Sequence, residues 1–170
     1  MPMATNFQLQ PATTADATSL ACLHTSAAEH LTSLYGVGTW SGKSSEKGVL
    51  FGMRTSKVFV ARHRTEIIAT LGLATKKPWA IDTSYFAPCR KPLYLLAMAV
   101  APARQRQGIG RRCLEEARRI AKEWPADAIR LDAFDAEAGA GSFYAKCGYT
   151  EVGRVTYRNA PLIYYEFLLA

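Results

Sequence analysis

The sequence predicts one α/β (α+β) domain in which about seven strands form a central sheet flanked by about four helices. The chain has 170 residues, of which 49% are hydrophobic, and this suffices for one substantial core. Runs with strand periodicity alternate with runs of helical periodicity along its length. No internal repeat, linker or charge block divides the chain, so we expect residues 7–170 to form a single domain after a flexible tail at residues 1–6.

The first half of the chain is expected to supply three strands and two helices. A short alternating run at residues 7–10 predicts a strand, and capping residues at positions 12–16 precede an apolar-periodic helix. A weaker helix is predicted over residues 44–53. Residues 57–62 and 66–74 are rich in β-forming residues and are separated by a short turn, which predicts a hairpin.

The second half opens with a long connection and then supplies the remaining elements. Residues 75–92 contain three prolines and show no steady period. The apolar run 93–100 predicts a buried strand, and residues 108–124 predict an amphipathic helix that ends before Pro125. A strand, a helix and two strands are then predicted at residues 128–134, 138–147, 151–157 and 162–169. The last strand is apolar on both faces apart from Glu166, so we expect it inside the sheet.

Cysteine usage and the N-terminal sequence indicate the compartment. The four cysteines are far apart, with no C-x-x-C pair and no histidine at metal-ligand spacing, so neither a metal site nor a disulfide framework is expected. The first ten residues lack the features of a signal peptide, and the longest apolar run is far shorter than the roughly 20 residues that span a bilayer. We expect a cytoplasmic protein that does not associate with membranes.

The charge balance permits an anionic partner without naming it. The net charge is +7 and the sequence pI is about 9.4, which suits nucleic acid, an anionic surface or a polyphosphate ligand. No helix-turn-helix, RNP-like or zinc-finger spacing is present. We therefore expect no nucleic-acid partner.

The most informative segment is residues 100–111, where a buried strand stops at a proline and a glycine-containing turn opens a long helix. Gly108 and Gly110 let the backbone approach a ligand where a Cβ would intrude. The unpaired N–H groups and positive dipole end of the helix favour a phosphate group. Four arginines flank the turn and could add charge-assisted contacts: Arg104, Arg106, Arg111 and Arg112. Neither a P-loop nor a dinucleotide-binding fingerprint fits this segment.

The pattern Gln105-x-x-Gly108-x-Gly110 resembles the acetyl-CoA motif of the GNAT superfamily of N-acetyltransferases, written Gln/Arg-x-x-Gly-x-Gly/Ala. Residues 129–134 and then 143–153 resemble the strand, helix and return strand that follow in that family. The likeness covers most of the chain. It implies a mixed, mostly antiparallel, GNAT-like sheet. It also implies an enzyme that moves the acetyl group of acetyl-CoA to an amine by direct attack on the thioester, without a metal.

The resemblance implies roles for individual residues. The strand positions that would bond the pantetheine arm are Met98, Ala99 and Val100. The turn that would hold the pyrophosphate comprises Gln105, at the motif's first position, with Arg106, Gln107, Gly108, Ile109, Gly110 and Arg111. The family's tyrosine acid corresponds to Tyr144. A phenol has an ordinary pKa of about 10, so it stays protonated at neutral pH and can donate to the leaving thiolate.

Two positions depart from the family pattern. Glu137 stands where many members have an asparagine, which leaves contact with the cofactor there open. The cofactor strand at residues 93–100 has no carboxylate, although many members carry a glutamate there as base. The general base is therefore not assigned. Candidates acting directly or through water are His24, Glu29, His30 and Asp82, and each also fits an ordinary surface or capping role.

The acceptor side is expected to use aromatic residues from the first two helices and from the long connection. The candidates are Trp40, Trp79, Asp82 and Tyr85. Aromatic rings could hold an aliphatic or cationic amine, with the carboxylate as counter-charge. They could equally be packing under a long loop. The acceptor itself is not identified, and the apolar last hairpin leaves a homodimer possible.

Three other functions are compatible with parts of the sequence. A catalytically silent acetyl-CoA-binding module would keep the glycine turn and lack usable acid-base groups. A nucleic-acid-binding protein would use the basic excess. Acyl transfer through Cys147 or Cys89 would need a nearby histidine, and none is close to either in sequence.

Overall fold

The computed structural model describes residues 7–169, which form a seven-stranded sheet and four α-helices. The strands are β1 (Gln10–Pro11), β2 (Lys57–His63), β3 (Glu66–Ala74), β4 (Pro92–Val100), β5 (Ala128–Phe134), β6 (Thr150–Tyr157) and β7 (Ala160–Leu168). The helices are α1 (Ala17–Tyr35), α2 (Glu46–Thr55), α3 (Ile109–Glu123) and α4 (Gly141–Lys146). The expected tail at residues 1–6 lies outside the described residues.

The strands are hydrogen-bonded in the order β1-β2-β3-β4-β5-β7-β6. β4 and β5 run parallel, and the other neighbouring strands described here run antiparallel. A parallel pair needs a crossover connection, which α3 supplies. β7 lies between β5 and β6, as expected from a strand that is apolar on both faces. The mixed, mostly antiparallel sheet is confirmed.

Helices cover both faces of this sheet because successive residues of a strand point to opposite sides. On β2, Phe59 belongs to the core cluster that contains Ile109 and Leu114 of α3. The next residue, Val60, belongs to the cluster that contains Leu20 of α1. Helices α1 and α2 therefore lie on one face, and α3 lies on the other. Among residues 7–169, no helix is long and apolar enough to cross a membrane.

The N-terminal strand is shorter than the alternation at residues 7–10 predicted. It comprises Gln10–Pro11, which pair with β2. The amide of Leu9 donates to the Glu116 carboxylate on α3 at 3.1 Å. The Glu116 carboxylate thus bonds the Leu9 amide in place of a neighbouring strand. The hydrophobic pattern of the sequence alone does not reveal this long-range hydrogen bond.

Helix α4 begins at Gly141 rather than at the expected residue 138. The amide of Gly139 donates to the carbonyl of Ala136, so the chain turns before the helix starts. Glycine is a poor helix former because its backbone loses the most conformational freedom. The two glycines at positions 139 and 141 delay the helix by about one turn.

A buried ion pair anchors the long connection between β3 and β4. Arg130 on β5 and Glu166 on β7 lie 3.2 Å apart, and each side chain is 5% exposed. Arg130 also donates to the carbonyl of Ala87 at 2.7 Å, and Glu166 accepts from the amide of Ala87 at 3.2 Å. The polar exception in the otherwise apolar last strand therefore holds this loop against the sheet.

Candidate functional site

β4 and β5 separate along part of their length. They are paired at Pro92, Leu93 and Tyr94. Beyond that point β5 continues against β7, while β4 continues against β3 to Val100. The side of β4 that faces β5 therefore lacks a strand partner over its second half. We refer to this gap as the β4–β5 opening.

A bulge in β4 lies beside the opening. The pairing of β4 with β3 shifts register between Thr70 and Gly72. At this point Ala97 has a φ of 47°, which is uncommon for a residue with a Cβ and costs conformational energy. A bulge bends its strand and changes the direction of the side chains that follow. Here it precedes Met98 and Ala99, both of which line cavities.

The turn before α3 leaves the first amides of the helix without a capping side chain. Gly108 is the N-cap residue, with a φ of 81° and no capping side chain. A Cβ built there would meet no atom within 4 Å. The first N–H groups of a helix have no partner within it. The Gln105 side chain donates to the carbonyl of Val100 at 3.1 Å and ties the turn to the end of β4.

Gly110 has a packing role as well as a place in the turn. A Cβ at this position would lie 2.9 Å from the ring of Phe143 on α4. The missing side chain thus allows α3 and α4 to approach each other. Gly108 has a positive φ in open space, whereas Gly110 faces an aromatic ring, so glycine suits the two motif positions for different reasons.

A cavity of about 600 Å³, the basic cavity, lies between the end of β4, the turn and α4. It is lined by four cationic side chains and no carboxylate: those of Arg104, Arg106, Arg111 and Lys146. Nine of the ten cofactor-binding positions expected from the sequence line it: Met98, Ala99, Val100, Gln105, Arg106, Gly108, Ile109, Gly110 and Arg111. The exception, Gln107, is exposed and donates to the carbonyl of Ala103. A cationic cavity at a helix N-terminus suits a polyphosphate.

Tyr144 reaches the same cavity from α4. The residue is 7% exposed, and its hydroxyl donates to the Met98 sulfur at 3.7 Å. Burial, followed by the neighbouring ionisable groups of Tyr149, Asp132 and Cys147, raises the pKa of Tyr144. The phenol therefore stays protonated at neutral pH, beside the end of β4.

A second cavity of about 580 Å³ lies between the sheet and the first two helices, and we call it the α1–α2 cavity. Trp40 lines it and packs edge-on against Phe134 of β5, with 6.3 Å between ring centroids. The α1–α2 cavity and the basic cavity share four lining residues: Ala27, Leu31, Met98 and Ala99. The two cavities therefore meet at the second half of β4.

The other three expected acceptor residues line a separate cavity of about 480 Å³ beside the β6–β7 hairpin. Trp79 is 83% exposed. Tyr85 packs against Tyr164 of β7, with ring centroids 5.5 Å apart. Asp82 accepts from the Ser84 amide and hydroxyl, and these hydrogen bonds lower its pKa. The structure does not place these three residues in the cavity that Trp40 lines.

The candidates for the general base also lie in different parts of the structure. His24 lines the α1–α2 cavity. Glu29 lines a different cavity, at the C-terminal part of α1, and His30 lines none of the cavities described here. Glu137, in the loop after β5, is exposed. Within residues 7–169, no group of three or more His, Cys, Asp or Glu side chains could hold a metal ion.

Sequence reasoning missed Asp132. This half-buried residue lies on β5 beyond the last pairing with β4, opposite Tyr164 of β7. Burial raises its pKa. The one carboxylate in a strand that is apolar apart from Arg130 was the signal that could have identified it.

The comparisons with known proteins agree with this geometry. The model of the Acetyltransferase (GNAT) family matches residues 25–149, which is more than half of the chain. An N-acetyltransferase from Staphylococcus aureus Mu50 shares 14% identity at a TM-score of 0.70, over 98% of this chain and 100% of that chain. No match was found among curated proteins.

Two further solved structures have the same fold at low identity. Ribosomal-protein-alanine N-acetyltransferase from Brucella melitensis shares 17% identity at a TM-score of 0.71, over 95% of this chain and 99% of that chain. The structure of yncA from Salmonella typhimurium was solved with its cofactor acetyl-CoA. It shares 14% identity at a TM-score of 0.69, over 96% of this chain and 94% of that chain.

Proposed function

Because the chain belongs to the acetyltransferase (GNAT) family, we propose that it moves the acetyl group of acetyl-CoA to an amine acceptor by direct attack on the thioester, with Tyr144 as general acid. The observation that carries this proposal is the junction of the β4–β5 opening with the cationic turn at Gly108. An unpaired strand edge can bond an extended amide chain, and the adjoining helix N-terminus can bind phosphates.

The cosubstrate would lie along β4 with its pyrophosphate on the turn. The pantetheine arm would pair with the backbone at Met98, Ala99 and Val100, which line the basic cavity. The arginines at positions 106 and 111 would neutralise phosphate charge. The acetyl end would then lie near Met98, where the basic cavity meets the α1–α2 cavity.

A proton donor beside the departing sulfur makes its departure easier. As the amine nitrogen bonds to the thioester carbon, the carbon–sulfur bond breaks and leaves a thiolate. The Tyr144 hydroxyl lies 3.7 Å from the sulfur of Met98, and Met98 lines both cavities. Its raised pKa keeps the proton on the phenol until the thiolate forms.

The acceptor would approach from the α1–α2 side. Trp40 and Phe134 offer an aromatic wall there. The cavity lined by Trp79, Asp82 and Tyr85 borders Tyr164, which is paired with Asp132 beside the β4–β5 opening. A larger amine could therefore touch both regions, with aromatic faces toward its cationic or aliphatic part.

Thiol release from acetyl-CoA, measured with a panel of amines, tests the proposal. The panel consists of benzylamine, spermidine, lysine methyl ester and kanamycin, and the blank contains acetyl-CoA without amine. Amine-dependent release of coenzyme A, with the acetylated amine identified by mass spectrometry, is the expected result. Saturable acetyl-CoA binding without release by any amine would favour the silent binding module instead.

A further inference from the structure

Of the four base candidates from the sequence, His24 is the one that lines the same cavity as the second half of β4. It lies in the middle of α1 and lines the α1–α2 cavity together with Ala97, Met98 and Ala99. Met98 accepts the hydrogen bond from Tyr144. The imidazole and the phenol therefore approach the same stretch of β4, one from α1 and the other from α4.

The surroundings of His24 leave its ring free to exchange protons. Among residues 7–169, no hydrogen bond or ion pair engages its imidazole. The titratable side chains lining the cavity are His24 itself and Lys43, which lies before α2. The lining residues of α2, β2, β3, β4 and β5 carry no titratable group. Burial lowers the pKa of His24, so the ring is neutral at pH 7 and able to accept a proton.

The candidate carboxylates do not line the α1–α2 cavity. Asp82 lies in the cavity beside the β6–β7 hairpin, with its carboxylate engaged by Ser84. Glu29 lines a cavity that does not include the end of β4. Asp132 lies beside the opening but does not line the α1–α2 cavity.

We propose that the imidazole of His24 is the general base that takes a proton from the attacking amine nitrogen. This inference rests on the proposed acetyl transfer and adds the missing partner of Tyr144. The nitrogen of a neutral amine becomes positively charged and acidic as it bonds to the thioester carbon. His24 takes one of its protons, the carbon–sulfur bond breaks, and the thiolate takes the Tyr144 proton. A proton passed from the imidazolium through solvent to the tyrosinate restores both groups.

The variants His24→Ala and His24→Gln, with His30→Ala as the matched control on the same helix, test this role. The assay is the thiol release described above, using the amine of the panel with the highest wild-type turnover. Calorimetric titration with acetyl-CoA and the melting temperature establish that each variant is folded and binds the cosubstrate. His24→Gln retains most of the side-chain volume, in case the alanine variant does not fold.

Loss of a general base lowers the rate by roughly 10² to 10⁴-fold, so both His24 variants should lose at least about 10²-fold in kcat/KM. Wild-type kcat/KM, calculated on the concentration of neutral amine, should fall as the pH drops through the pKa of His24, which burial holds below the ordinary histidine value of about 6.5. This acid limb should be absent from the His24 variants and present in His30→Ala. Added imidazole should restore part of the His24→Ala rate, an effect that a merely structural role would not produce.

The possible outcomes are distinguishable. Wild-type turnover with full activity in both folded His24 variants overturns this inference and leaves the proposed function standing. Loss of the acid limb in Asp132→Asn with its retention in the His24 variants also overturns it, in favour of the carboxylate. Acetyl-CoA binding without wild-type turnover of any amine overturns the proposed function, and the inference falls with it.

Discussion

At the scale of single residues, Tyr144 is buried and carries a hydroxyl proton that it can donate. Its hydroxyl donates to the Met98 thioether, and sulfur of this kind is a weak acceptor. The proton can therefore be given to a stronger acceptor, such as a thiolate, without the loss of a strong native hydrogen bond. Burial raises the pKa of Tyr144, so the acid form persists across the neutral range.

The substitution Tyr144→Phe keeps the aromatic ring and removes the hydroxyl group with its proton. We predict that kcat falls by roughly 10² to 10⁴-fold, while acetyl-CoA affinity is retained. The free energy of unfolding should change by less than about 1 kcal/mol, because the lost hydrogen bond is weak. Steady-state kinetics and urea denaturation on the same preparation measure both effects. Full turnover would mean that solvent or another group protonates the sulfur.

The Arg130–Glu166 pair has a structural role. Both side chains are 5% exposed, and together they hold the Ala87 backbone. We predict that Glu166→Gln lowers the free energy of unfolding by about 3 to 5 kcal/mol, because it leaves a buried guanidinium without a counter-charge.

Urea denaturation measures this loss of stability. The control is Glu151→Gln on β6, where an exposed pair with Arg154 is lost and stability should hardly change. Equal stability of the two variants would show that Arg130 does not depend on its partner.

At the scale of elements, the proposed binding of acetyl-CoA depends most specifically on the turn before α3. Gly108 has a φ of 81° and faces open space at the helix N-terminus. Asparagine and aspartate both tolerate positive φ, so Gly108→Asp and Gly108→Asn differ mainly in charge. We predict that Gly108→Asp weakens acetyl-CoA binding at least about tenfold more than Gly108→Asn, which equals about 1.4 kcal/mol.

Calorimetric titration of both variants with acetyl-CoA measures the difference. The aspartate places a negative charge where the pyrophosphate is expected. This charge repels the phosphate groups that the positive end of the helix dipole attracts. Equal affinities would mean that the pyrophosphate lies elsewhere.

The connection between β3 and β4 carries the expected acceptor aromatics. We predict that replacing Trp79 and Tyr85 together with alanine raises the amine KM severalfold and spares acetyl-CoA affinity. Both residues line the cavity beside the β6–β7 hairpin rather than the basic cavity. Trp124→Ala, at the end of α3, removes a partly exposed tryptophan away from both cavities and serves as control. An unchanged amine KM with weakened acetyl-CoA binding would contradict the assignment.

Local patterns allowed most of the elements and the turn to be predicted. The strand at Ala128–Phe134 has the predicted bounds, and α3 differs from its prediction by one residue at each end, because periodicity and Pro125 act locally. The turn could be identified because its glycines and the helix start are contiguous in sequence. That His24 and Ala97 line one cavity could not be predicted, since it depends on how α1 packs against β4.

At the scale of the whole molecule, the fold brings two cavities together at one strand. The basic cavity is lined by residues of α3, α4 and α1, and the α1–α2 cavity by residues of α1 and α2. They meet at Met98 and Ala99, where β4 has lost its pairing with β5. A seven-stranded sheet with continuous pairing would separate these cavities. In the proposed reaction, a thioester on one side would meet an amine on the other through the β4–β5 opening.

The most direct test of this account is a crystal structure of the protein with acetyl-CoA. We predict pyrophosphate oxygens within hydrogen-bonding distance of the amides of residues 108–111, and the pantetheine arm alongside β4 at residues 98–100. The acetyl group should lie near Tyr144 and point toward the α1–α2 cavity. Acetyl-CoA bound at another cavity, or bound without contact to the turn and β4, would contradict the account.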